Sequence, residues 1–366
     1  MINPSHLKNL SFRFVCVLAL LLGGWPAHAE NTAHISRIYF PVLPAQSLPD
    51  TEPQLVPMLS TWPLAGDHRG IERAIVVIHD GTRDPRPLLQ TIVSMAGTDN
   101  ATTIAVAPQF YIESDIARYA DNLPDDGKYV ASWTPGGWGQ GDDSIPGPGR
   151  KPISSFTVID LLLLYLADTT QFPDMKYITL AGYDDGARFV QTYAAVGRAP
   201  DALELDHMPV RFVVANPPAF FYATPARFRG GKQGFGLPDP AACLNTNQWP
   251  YGLDQLNPYA KRVGPNAVKM NISGRSVSFL IGANSGHNDP MPDISCAAQQ
   301  QGRDRLERVG NYRMYLASIF GDTVVQRQNF SIVPKASYNP EALLTSPCAA
   351  SVMFGDGVCV DVSGGQ

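Results

Sequence analysis

Residues 177–197 read YITLAGYDDGARFVQTYAAVG, and the fold turns on how this stretch is read. Tyr177-Ile178-Thr179-Leu180-Ala181 is a short apolar run rich in β-formers, which predicts a buried strand. Phe189, Val190, Tyr193 and Ala194 then recur at helical spacing, and Gly197 suits a helix C-terminus. Between the two lies Gly182-Tyr183-Asp184-Asp185-Gly186, a turn with a glycine on each side. A strand that passes at once into a helix forces its turn residue into strained backbone geometry. It also leaves no room for a side chain where strand and helix pack closest, at the glycines.

The same alternation extends outward. Residues 35–42 are apolar and loosely alternating, an early strand, whereas 47–59 are proline-rich and read as irregular. Residues 73–79, RAIVVIH, form a β-branched run that predicts a central parallel strand buried on both faces. Further strands are predicted over 102–107, 210–215, 276–281 and 330–333, and helices over 87–95, 155–168 and 306–320. On the last helix Leu306, Val309, Arg313, Leu316 and Phe320 line one side. Two long irregular insertions interrupt the pattern, at 108–150 and 217–259. Strand and helix alternate throughout, which predicts an α/β fold with a mostly parallel central sheet and helices on both faces.

Gly182-Tyr183-Asp184-Asp185-Gly186 resembles the nucleophile elbow of the α/β-hydrolase superfamily, whose pattern is Gly-x-Ser-x-Gly. The resemblance covers most of the chain and implies a single α/β-hydrolase domain over 30–366 with cap or loop insertions. The departure is at the centre, where Asp184 stands in place of serine. In that family an acid follows a later strand and a histidine follows the last one. Here the acid turn, Gly282-Ala283-Asn284-Ser285-Gly286-His287-Asn288-Asp289, places Ser285 at the expected position, with Asp289 as the alternative. The last turn, Pro334-Lys335-Ala336-Ser337-Tyr338-Asn339, has Tyr338 where the histidine belongs, and no histidine follows His287. The resemblance also implies an oxyanion hole from backbone amides at Asp80, Gly81 and Asp185, after the turn His79-Asp80-Gly81. His79, Trp133 and Trp138 are candidate pocket residues, on the expectation that the first insertion walls the site.

Asp184 admits two functional readings. Haloalkane dehalogenases and epoxide hydrolases, in the same superfamily, carry an aspartate at this turn that attacks an sp³ carbon, and a histidine-activated water cleaves the resulting ester. This implies a hydrolase acting on an ester, haloalkane or epoxide, with His287 as a displaced base because Tyr338 is too weak. The other reading is a pseudoenzyme that binds a small molecule without turning it over. A carboxylate at a helix N-terminus can simply cap the helix, and Asp185 places more negative charge where an oxyanion would form. The second reading is the one the residues favour. The spacing of Asp184, His287 and Asp289 fits no metal-ligand pattern, and no cofactor motif is present.

Residues 1–29 read as a signal peptide: Lys8 and Arg13, an apolar run over 14–22 too short to span a bilayer, then Ala27-His28-Ala29. Losing Lys8 and Arg13 takes the net charge from -5 to -7, and with no basic cluster the chain is not a nucleic-acid binder. No later run is long and apolar enough to anchor the mature chain in a membrane. The expected location is periplasmic or extracellular. Four cysteines remain there, and of three possible pairings Cys243–Cys296 and Cys348–Cys359 are favoured, the second because both lie in one short segment. Asn100, Asn271 and Asn329 head glycosylation sequons. Peptide mapping without reduction should therefore find a mature N-terminus near Glu30 and no alkylatable thiol; alkylation of Cys243 or Cys348 would contradict this.

Overall fold

The computed structural model describes residues 34–43, 53–147, 150–230, 234–285, 293–355 and 359, all within one compact unit. Eight strands build the central sheet: β1 (Ser36–Val42), β2 (Gln54–Ser60), β3 (Arg73–Ile78), β4 (Thr103–Pro108), β5 (Tyr177–Tyr183), β6 (Val210–Ala215), β7 (Val277–Gly282) and β8 (Asn329–Val333). Their spatial order is β1-β2-β4-β3-β5-β6-β7-β8. Only β2 runs antiparallel to its neighbours; every other pairing is parallel. This is the expected mostly parallel sheet.

Alternation along each strand decides which side chain serves which face. Ala74, Val76 and Ile78 of β3 join one core with Phe212 and Val214 of β6. Helices α2 (Ser155–Leu166), α3 (Asp185–Val196), α4 (Pro265–Gly274) and α5 (Arg305–Phe320) cover that side. Ile75 and Val77 point the other way, into a second core with Val213 and Ala215. There α1 (Arg86–Ala96) and α6 (Pro347–Phe354) close the face. Ser154 caps α2 by accepting from the Phe156 amide, and Pro87 fits the first turn of α1.

Three local expectations need correction. Residues 54–60 are a strand, not irregular chain. Pro57 is tolerated because its carbonyl accepts from the Gln109 amide at 2.8 Å, so its missing N–H faces the same side, past the end of the β4 ladder. The buried side of α5 is rotated from the apolar stripe: Arg313 is exposed, while Arg305, Arg308, Tyr312 and Tyr315 are buried. Phe220 and Tyr222 of the second insertion stack on Tyr312 and Tyr315, and the two arginines reach main-chain carbonyls, so polar atoms are paired where hydropathy alone would bar them. Finally, Trp133 and Trp138 are core residues rather than walls of an open pocket. Both are buried around Phe110, and the Trp133 indole donates to the Asp142 carbonyl at 3.1 Å.

The disulfides Cys243–Cys296 and Cys348–Cys359 both form, the two pairings favoured from the sequence. The Asn100 and Asn271 carboxamides are buried and donate to main-chain carbonyls, Asn100 to Val93 and Gly97, Asn271 to Ala195, so neither sequon presents an accessible acceptor in the folded protein.

Candidate active site and its occupants

The turn between β5 and α3 has the geometry the sequence demanded. Asp184 sits at φ 55°, ψ −118°, a left-handed conformation that side chains other than glycine adopt only under strain. A Cβ on Gly182 would overlap the carbonyl oxygen of Gly186, and a Cβ on Gly186 would overlap that of Ile78 at the end of β3. The two glycines therefore let helix and strands meet at this point.

Asp184 does not cap α3; its side chain bonds no helix amide. Instead, both carboxylate oxygens are taken by other side chains. Oδ1 accepts from Arg305 Nη2 at 2.8 Å and Oδ2 from the Tyr338 hydroxyl at 2.7 Å. The Arg305 side chain is 1% exposed and that of Asp184 8%, so this is a buried ion pair. The guanidinium also donates to the Asn216 carbonyl and lies 4.9 Å from the centre of the Tyr338 ring. Burial raises the Asp184 carboxyl above the ordinary carboxylate range; Arg305 opposes this and Asp185 reinforces it. Burial, and then the Asp184 charge, push the Tyr338 phenol well up.

The turns after β6, β7 and β8 converge on this pair through Asn216, which follows β6 at φ 51°. Its carboxamide accepts from the Gly282 amide at 3.1 Å and donates to Ser285 Oγ at 2.9 Å and the Ser337 carbonyl at 3.2 Å. Ser285, at the acid position, is thus bonded to Asn216 and buried. His287 and Asp289 lie outside the described residues. Asp184, Ser285 and Tyr338 are brought to one end of the sheet, as three turns of this fold would place them.

Of the expected oxyanion-hole residues, Gly81 lies against Asp185: a Cβ there would stand 2.7 Å from Asp185 Oδ2. The Asp185 carboxylate also meets Arg188 at 3.3 Å, and Arg188 reaches Asp293 at 3.2 Å. A negative group thus borders the loop where an oxyanion would need donors. Asp80 is engaged locally, its Oδ1 accepting from the Thr82 amide at 2.9 Å.

His79 is fully buried, 4.5 Å from the Trp138 ring centre. The Phe110 amide donates to its Nε2 at 3.1 Å, so the ring is neutral there and Nδ1–H donates to the Asp80 carbonyl at 2.8 Å. Burial lowers its pKa to about 4. It supports the turn after β3 from inside the core and is not a pocket wall.

Sequence reasoning missed Arg305 and Asn216. The one available signal was Asp184 itself, since a buried carboxylate calls for a cation. Nothing in one chain indicates which cation, 121 residues away, supplies it.

No family model matches the chain, and no curated protein sequence matches it. Solved structures do. Poly(aspartic acid) hydrolase-1 from Sphingomonas sp. KT-1 superposes with a TM-score of 0.58 at 16% identity, over 87% of this chain and 98% of that one. A poly(3-hydroxybutyrate) depolymerase, LpqC from Bordetella parapertussis, does so with a TM-score of 0.55 at 16% identity, over 90% and 92%. The chain has the α/β-hydrolase fold, with an eight-stranded sheet and an elbow occupied by aspartate.

Two outcomes follow from this geometry. Asp184→Asn keeps an acceptor for Tyr338 but takes the carboxylate charge away from the buried Arg305 guanidinium, so denaturant unfolding should show a loss of about 3–5 kcal/mol. Adding Arg305→Met should restore most of it; a loss under about 1 kcal/mol for the single variant would mean that the pair is not stabilising. For His79, the unfolded chain protonates the ring near pH 6.5 while the folded protein keeps it neutral down to about pH 4. The unfolded state therefore binds the extra proton, and stability should fall by up to about 3 kcal/mol as pH drops across that window. His79→Asn should flatten this slope in urea titrations between those pH values; an unchanged slope would contradict it.

Proposed function

We propose that this is an exported, non-catalytic α/β-hydrolase-fold protein that binds a small molecule. The observation that carries the reading is the double engagement of the Asp184 carboxylate by Arg305 and Tyr338. A nucleophilic carboxylate gives up its negative charge when it bonds to carbon. Here the buried guanidinium stabilises that charge, so attack would work against the ion pair. Tyr338 is a donor with a raised pKa, so it takes up no proton at neutral pH. His79 is sealed in the core with both ring nitrogens bonded to main chain. Export rests on the leader read in the sequence, and the two disulfides fit an extracellular or periplasmic protein.

The strain retained at Asp184 favours a second reading, in which the aspartate is a working nucleophile on an ester, haloalkane or epoxide. Turnover of such a substrate in ¹⁸O-water would then place the label in the Asp184 carboxylate, because water cleaves the enzyme ester at its carbonyl. Absence of both turnover and label supports the non-catalytic reading.

A disarmed site should be one that can be rearmed. Asp184→Ser, Ser285→Asp and Tyr338→His restore the three roles, and Arg305→Leu removes the cation whose carboxylate partner Asp184→Ser deletes. Single changes should leave activity near background, since triad members act as a unit. The folded quadruple variant should hydrolyse an activated acetyl ester at least about tenfold faster than the parent. Replacing Asp185 as well should help further. A folded variant with no gain would mean that the three turns do not converge closely enough for catalysis.

A further inference from the structure

A cleft of about 320 Å³ lies in the second insertion, between the segment carrying Asn245, Gln248, Trp249 and Tyr251 and the one carrying Ser295. Neither Asp184 nor Tyr338 lines it, so it stands apart from the reading of the elbow. Its size falls at the small end of the range of about 300–1,000 Å³ typical of small-molecule sites. We propose that this cleft is a binding site for a neutral saccharide.

Four features converge on that chemistry. The walls are fixed: the Cys243–Cys296 disulfide ties the two segments together. Both aromatic rings are set in place. The Trp249 indole donates to the Gln140 carbonyl at 3.0 Å and packs edgewise on Phe221. The Tyr251 hydroxyl is held by Asp293 at 2.6 Å and Ser295 at 3.0 Å. Rings held this way line the cleft at little entropic cost, with the Arg188 guanidinium 5.8 Å from the centre of the Tyr251 ring.

The polar groups are carboxamides. Asn245 and Gln248 bond no other described residue through their side chains, and each offers both a donor and an acceptor to a ligand hydroxyl. Among the described residues no lining side chain carries a charge, and the nearby Asp293 and Arg188 are paired with each other. That disfavours an ionic ligand, because its charge would be desolvated without a partner.

The backbone offers little. The amides of Gln248, Trp249, Tyr251 and Gly252 are all spent on carbonyls within the same loop, so an extended peptide would find no ladder to join. Fixed aromatic rings, neutral two-way hydrogen-bonding groups and a closed backbone match a sugar ring, with its C–H face and hydroxyl rim.

The test is calorimetric titration of the full chain with cellobiose, maltose and N,N′-diacetylchitobiose, with tetra-alanine as the peptide control. At least one disaccharide should bind saturably. Asn245→Ala or Gln248→Ala should weaken that binding about tenfold with no change in melting temperature. The proposal is overturned if no disaccharide saturates by about 10 mM, if binding survives both substitutions unchanged, or if tetra-alanine alone binds. Such a failure would leave the reading of Asp184 untouched, which the rearmed variant tests separately.

Discussion

The rest of the site depends on one buried charge pair. Arg305 enters the interior at the first turn of α5, and a guanidinium there needs an anion and acceptors for its remaining donors. Asp184 supplies the anion and the Asn216 carbonyl one of the acceptors. Because Asp184 heads α3, Asn216 follows β6 and Tyr338 follows β8, a single ionic contact ties a helix to three strand ends. Buried pairs seldom add net stability over an apolar core, but breaking one is costly, so the constraint is strong even where the gain is small.

The same contact sits where the fold places its elbow side chain. An elbow presents its side chain at the tip of a strained turn because catalysis needs it exposed and unencumbered. In this chain the strained position holds a buried carboxylate, each oxygen of which accepts a side-chain hydrogen bond. The elbow geometry of the α/β-hydrolase fold is thus present with a carboxylate that serves as the counter-ion of a buried arginine. The neighbouring folds belong to hydrolases of polymers, yet a shared fold fixes only where a site lies, not what it does.

The insertions, which sequence reading treats as loops, are bound into the core by aromatic packing. His79, Phe110, Trp138 and Phe189 form one stack across the first insertion and α3. Phe220 and Tyr222 dock the second insertion on α5. That docking positions Arg305 and Arg308, since both lie on the buried side of the same helix. Loop packing and the charge pair are therefore coupled through one helix.

Periodicity and local sterics were enough to read seven of the eight sheet strands, four of the helices, the glycine-flanked turn and the Cys348–Cys359 disulfide, because each depends on neighbours within a few residues or on a short closed segment. The convergence of Asp184, Ser285 and Tyr338 was implied by the resemblance to the α/β-hydrolase superfamily rather than by periodicity. Arg305 and Asn216 could not be anticipated. A buried arginine contradicts the hydropathy pattern that identifies a core position, and its partner is 121 residues distant. The rotated face of α5, the strand at Gln54–Ser60 and the burial of Trp133 and Trp138 depend likewise on what packs against them. Sequence determined the elbow; only tertiary structure could decide that its aspartate faces an arginine, because Coulomb energy and desolvation act through space and not along the chain.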